Sequence, residues 1–273
     1  MSWPFDASEP FTTAAQAVEA DRQRRSLTAE QHALPPTLVA TFQAAAYQRL
    51  LERAGVVVQA ANPGRGGSGT RGDRANGFIS GVPVRLVRIS VGAPAAALVL
   101  EEAIARGVRT VLVVGSAGSL QRDLPIGSTV IVEAAEREDG TSHHYLPAGE
   151  VVEANPGLAA MLEAAAEARG VTPVRGRSWT IDAPYRVGVA GLERHRAAGV
   201  AVIEMEAAAI FAVARVHGVR AALIVAVSDA LFEDWTLGFS ETAYLNALVS
   251  AADVAMDVAA QVETGDDGPA KRG

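Results

Sequence analysis

The chain contains no cysteine. That excludes disulfides, thiolate metal sites and a cysteine nucleophile, and it suits a reducing cytoplasm, the expected compartment. Basic residues number 24 against 31 acidic ones, a formal charge of −7, and no dense Lys/Arg stripe is present that could release counterions from a phosphate backbone. Nucleic acid is therefore not an expected partner, although a local pocket can hold a small anion whatever the net charge. The start, "MSWPFDASEPF", has neither a basic n-region nor an apolar h-region, and no apolar run approaches the length of a membrane span. Neither secretion nor membrane insertion is expected. No repeat period and no break in composition divides the chain.

What is present describes an ordinary folded protein: 273 residues, 49% hydrophobic and 20% charged, enough to bury a large core. Residues 1–33 read as a polar, helix-compatible N-terminal arm, closed off by Pro35 and Pro36. Residues 34–262 read as one domain. Apolar runs such as "TLVATF", "VRTVLVVG" and "RAALIVAVSD" alternate there with Ala-rich helical stretches such as "QAAAYQRLLERAG" and "PAAALVLEEAIARG", the pattern of a mixed α/β sheet. Apolar spacing predicts a final helix of roughly 20 residues starting near Gly238. Residues 263–273 are expected to be a disordered tail.

Several segments combine an apolar strand or helix with polar residues at its end. "GRGGSG", residues 64–69, matches the spacing of a dinucleotide fingerprint, but the following "TRGDRANGFISG" does not open a helix to receive a pyrophosphate, so a surface loop is the better reading. "VVGSAGSL" places Ser116, Ala117 and Gly118 at a strand exit, where small residues let a ligand approach the main chain. "VAVSDAL" ends a buried strand in Ser228 and Asp229; the aspartate is either a helix cap or a general acid. In "IEMEAAAIF", Glu204 and Glu206 flank Met205 just before an apolar helix. The helix dipole explains one acid there, and a hydroxyl-rich ligand would explain both. "REDGTSHHYLP" reads as a polar loop lining a pocket, since adjacent histidines on a strand face opposite sides and rarely chelate one metal ion. "SWTIDAPYR" adds Trp179, Asp182, Tyr185 and Arg186, types that stack on and hydrogen-bond a heterocycle.

Taken in order, "VGAPAAALVLEEAIARGVRTVLVVGSAGSL", "IGSTVIVEAAEREDGTSHHYLP", "SWTIDAPYR", "IEMEAAAIFAVARVHG" and "VAVSD" resemble the nucleoside phosphorylase and nucleosidase family. The resemblance implies an α/β fold, a three-layer α/β/α sandwich around a mixed sheet that partly closes as a barrel, assembled as a homo-oligomer, a dimer or hexamer. It implies a small-molecule nucleoside substrate whose ribose hydroxyls bind Glu206, whose sugar rests on Met205, and whose purine base is protonated by Asp229. Glu204, Ser228, Ser116, Ala117, Gly118 and Gly92 would line the substrate, with Asp182, Tyr185 and Arg186 at the base. No metal or cofactor is implied, phosphate being the one candidate co-substrate.

The chain departs from this family at the nucleophile. Val113 stands where phosphorylases carry an arginine, Ala95 where they carry a serine, and "ATFQAAAYQR" where they carry a Gly-Asp-Pro phosphate loop. The glutamate that activates water in nucleosidases has no match either, and Pro184 stands where the base site usually has an aromatic residue. Losing a bidentate arginine weakens phosphate binding, so hydrolysis is expected ahead of phosphorolysis. Phosphorolysis stays open if Arg74, Arg88 or Arg137 takes over. A non-catalytic nucleoside-binding protein on the same fold is the alternative of another class.

Overall fold

The apolar and Ala-rich segments of the sequence become strands and helices in the same alternation. The computed structural model describes residues 5–56 and 73–262, so the "GRGGSG" segment and the 263–273 tail lie outside the described residues. Helices α1 (Ala14–Arg24) and α2 (Ala29–His32) precede strand β1 (Thr37–Thr41) and helix α3 (Ala44–Arg53). The hairpin β2 (Asp73–Ile79) and β3 (Val82–Arg88) leads into α4 (Ala93–Ala105), β4 (Thr110–Ser119), β5 (Thr129–Glu138) and the short β6 (Val152–Glu153). There follow α5 (Pro156–Ala168), β7 (Val174–Ile181), α6 (Val189–Ala197) and β8 (Val202–Glu204), then α7 (Ala207–His217), β9 (Arg220–Leu231), β10 (Trp235–Leu237) and α8 (Thr242–Gln261).

The sheet is mixed. β9 runs parallel to β4 and antiparallel to β5, and β7 and β8 complete the circuit, so β9-β5-β7-β8-β4 close into a barrel-like ring. β1, β3 and β2 continue outward from β4 as an open wing. The α/β fold expected from the sequence, a layered sandwich on a partly closed sheet, is the one observed.

Period-two alternation on the strands sets the layers. Along β4, Val111 and Val113 pack with α4 and α7 on one face, while Leu112 and Val114 pack with α3, α5 and α8 on the other. α7 is buried at every position from Ala207 to Ala214, as a helix apolar all round should be, and it stops at Gly218, whose φ of 63° forms a left-handed cap. By length and composition alone α8 could cross a membrane. Here it is a core helix, with its Asp253 and Asp257 held by Arg49, Arg53 and Arg169. It begins at Thr242 rather than near Gly238, because Gly238 is committed to the preceding turn. Its N–H donates to the Ser228 carbonyl, and a Cβ there would lie 2.6 Å from Ile126.

The N-terminal segment is anchored to the far end of α4. α1 packs against that helix, the Leu34 N–H donates to the Arg106 carbonyl, and Arg106 Nε donates to the His32 carbonyl at 2.8 Å. Capping boxes, Thr13 with Gln16 and Thr28 with Gln31, start its two helices.

Candidate active site

Parallel strands β1, β3, β4 and β9 bring their carboxyl ends to one edge, the side on which ligands of α/β sheets bind. Glu206 is the N-cap residue of α7 and is buried. Its Oε1 accepts the Gly92 N–H at 2.6 Å. Gly92, itself the N-cap of α4, has a φ of 113°, a conformation that suits glycine alone. Burial, and then the neighbouring Glu204 carboxylate, push the Glu206 carboxyl up to about 8.

Glu204 turns the other way. One oxygen accepts the N–H groups of Glu206 and Ala207 at 2.7 and 2.6 Å, and the other accepts the Thr180 hydroxyl. Burial raises this carboxyl while those donors pull it back down. Glu204 thus caps α7 from the end of β8, and its oxygens serve the α7 backbone and β7. Met205 between the two acids packs on the apolar cluster of Ile181, Ile203 and Leu231.

Asp229, near the end of β9, is buried and accepts two hydrogen bonds, from Ser228 Oγ and from Trp235 Nε1, both at 2.7 Å. Trp235 reaches it because β10 folds back antiparallel on β9. The Trp235 ring meets Tyr185 edge-on, centroids 6.1 Å apart. Gly118 stands opposite Asp229 on β4, where a Cβ would lie 3.0 Å from Asp229 Oδ2 and 2.4 Å from Leu231. Ser116 Oγ pairs with the Tyr244 hydroxyl at 2.6 Å. Burial raises that phenol, Ser116 opposes the shift, and the Asp229 charge adds to it. Trp235 and Tyr244 were not singled out from the sequence. A tryptophan just past the "SDAL" strand end was a faint signal for the first, whereas Tyr244 is one apolar residue among many in α8.

On the nucleophile side the surroundings are apolar. Val113 is in the core, and Phe42 and Ala95 pack against the same cluster. Of the substitute arginines, Arg137 gives its guanidinium to the carbonyls of Ser142, Leu146, Pro147 and Glu150 and to Ser142 Oγ, so it staples the "TSHHYLP" loop shut. Arg74 lines a cavity at the C-terminal end of α4. Arg88 lies at the carboxyl edge in register with Thr41 and pairs with Asp73 at 2.5 Å.

The predicted base-site residues separate. Tyr185 is 84% exposed and joins Trp235 beside Asp229. Asp182 and Arg186 instead line a cavity of about 410 Å³ with Glu138, Trp179 and Arg194. Asp182 accepts the Gly140 N–H at 2.7 Å, and Trp179 donates to Glu138 while stacking on His195, centroids 4.0 Å apart.

A profile of the phosphorylase superfamily matches residues 38–260. The chain belongs to the phosphorylase superfamily. Among its superfamily relatives, uridine phosphorylase of Haemophilus influenzae is 30% identical over 165 residues, 55% of this chain and 66% of that protein. Uridine phosphorylase of Thermococcus kodakarensis is 33% identical over 164 residues, 55% and 59%. Guanosine phosphorylase of Halorubrum lacusprofundi is 35% identical over 160 residues, 57% and 65%. The matched stretch thus spans less than two thirds of each. Superfamily structures share the fold: uridine phosphorylase from Vibrio fischeri gives a TM-score of 0.70 at 20% identity, covering 86% of this chain and 95% of that one. Purine nucleoside phosphorylase from Toxoplasma gondii in complex with immucillin-H gives 0.69 at 20% identity, with the same coverage.

Proposed function

We propose that the protein cleaves the N-glycosidic bond of a nucleoside, a purine in preference to a pyrimidine. The observation that carries this reading is the placement of Asp229 and the Glu206 segment on opposite flanks of Gly118. β4 pairs with Asp229 on one side and with Ile203 on the other, so the two flanking strands are about 10 Å apart, two interstrand spacings. A nucleoside between them sets its base against Asp229, Trp235 and Tyr185, and its ribose against Glu206 and Met205. Bond cleavage puts positive charge on the sugar and negative charge on the base. Asp229 protonates the departing base, with Trp235 Nε1 fixing the carboxyl's orientation, and Glu206 accepts the ribose hydroxyls. The hydroxyl donors favour the Glu206 anion, so substrate binding lowers a carboxyl that burial had raised.

Water is the nucleophile in this reading, because Val113, Ala95 and Phe42 offer a phosphate dianion no charge. Phosphorolysis is the second reading, favoured by Arg88 at the same edge and by the names of the relatives. The homo-oligomer, dimer or hexamer, and the cytoplasmic setting belong to the same proposal. Incubating the protein with inosine, guanosine or uridine, with and without phosphate, tests it. Free ribose formed without phosphate supports hydrolysis, and phosphate-dependent ribose 1-phosphate moves the assignment to Arg88. Binding without turnover, unaffected by Asp229→Asn, would mark a nucleoside-binding protein.

A further inference from the structure

A group of arginines lies at the opposite end of α4, where the proposed reaction makes no use of them. Arg74 on β2 and Arg85 on β3 line one cavity together with Arg106, just past the end of α4. Their convergence follows from register. Arg85 stands opposite Asn76, two residues along the same strand face from Arg74, so both side chains share the sheet face that looks at α4. The helix answers with Val99, Glu102, Ala103 and Arg106, a stripe at i, i+3, i+4 and i+7 that faces back.

Cationic side chains predominate among the lining residues. Three guanidiniums meet the single Glu102 carboxylate among the lining residues. Arg85 donates to the neutral Asn76 Oδ1 at 2.8 Å and Arg106 to the neutral His32 carbonyl. From the N-terminal segment Arg106 also senses Arg25 and Asp21, of opposite sign. Burial, then repulsion from Arg106 and Arg74, bring Arg85 down to about 10. Like charges are seldom gathered in a half-buried cavity unless something neutralises them.

We propose that this cluster binds a phosphoryl group, either inorganic phosphate or the phosphate of a small phosphomonoester. The cavity of about 20 Å³ admits one or two oxygens, since a water-sized group needs roughly 10–15 Å³, and the rest of the ligand sits at the mouth. Guanidinium forks match the tetrahedral oxygens of a dianion. The site is about 20 Å from the Gly92–Glu206 contact, from the length of α4 at 1.5 Å per residue, so it is separate from the nucleophile's position.

Calorimetric titration and thermal melting of the full chain with inorganic phosphate, ribose 5-phosphate, or chloride at matched ionic strength test this. Wild type and Arg88→Gln should bind phosphate and melt several degrees higher with it. Arg85→Gln/Arg106→Gln should bind at least tenfold more weakly, with an unchanged far-UV circular dichroism spectrum showing that the fold is kept. Arg85→Lys, which keeps the charge and loses the fork, should fall between. Equal binding of ribose 5-phosphate identifies a phosphomonoester site, and binding of phosphate alone identifies the free ion. Phosphate binding no better than chloride in wild type, or undiminished in Arg85→Lys and the double variant, overturns the proposal.

Discussion

Glu204 and Glu206 are two residues apart and equally buried, yet they do different work because their donors differ. Glu204 has three hydrogen-bond donors and a helix N-terminus to support its charge, whereas Glu206 has the Gly92 N–H and a carboxylate neighbour. From an ordinary 4.5 to about 8, folded Glu206 keeps a proton that the unfolded chain has released. Its contribution to stability is therefore fully present below the lower value and is lost as pH rises through the upper one. Glu206→Gln, which mimics the protonated acid, should melt progressively higher than wild type from pH 5 to 9, by several degrees at the top; a constant difference would contradict the assignment. Asp229→Asn should retain nucleoside binding and lose about 10²- to 10⁴-fold in turnover, the usual scale of general acid catalysis. Trp235→Phe keeps the ring but not the Nε1 donor, so kcat should fall about tenfold with KM little changed, as steady-state kinetics on the best substrate would reveal.

Among the elements, α7 depends on a cap that comes from outside it. Glu204 is the last residue of β8 and satisfies two amides at the start of the helix, so Glu204→Ala should lower unfolding free energy by about 1–3 kcal/mol, read from a urea midpoint. β4 and β9 are constrained by close approach at Gly118. An alanine there pushes on Leu231 and the Asp229 carboxyl, so Gly118→Ala should lose activity far out of proportion to any change in far-UV circular dichroism. These contacts also show what was readable in advance. The apolar run of β9 ending in Ser228 and Asp229 marked a buried strand meeting a polar site, since a strand covered on both faces reads as continuous hydrophobicity. The neighbouring acids of "IEMEAAAIF" were visible as a pair, but their division of labour was not, because it depends on Thr180 and Gly92, far away in the chain.

For the molecule as a whole, the outer helical layer is tied together by charge as well as by packing. Arg49 and Arg53 from α3, Arg169 from the end of α5, and Asp253 and Asp257 from α8 form one network. Asp253 is its most buried member, and Asp253→Ala leaves three guanidiniums with the remaining acid. The expected cost is about 1–3 kcal/mol, between that of exposed and fully buried pairs, and it should shrink in high salt when thermal melts are compared.

By itself, the sequence determined the α/β alternation, the buried α7, the buried strands that carry Ser116 and Asp229, and the family. Those features follow from burial period and local backbone preference, which act over a few neighbouring residues. Tertiary structure alone decided that Trp235 would turn back onto Asp229, that Tyr244 would reach Ser116, and that Asp182 and Arg186 would part from Tyr185. It also brought the guanidiniums of Arg74, Arg85 and Arg106 together. Each of these is a meeting of side chains set by strand register and by closure of the β9–β4 ring. Register and closure are properties of the packed sheet and have no counterpart in the spacing of residues along the chain.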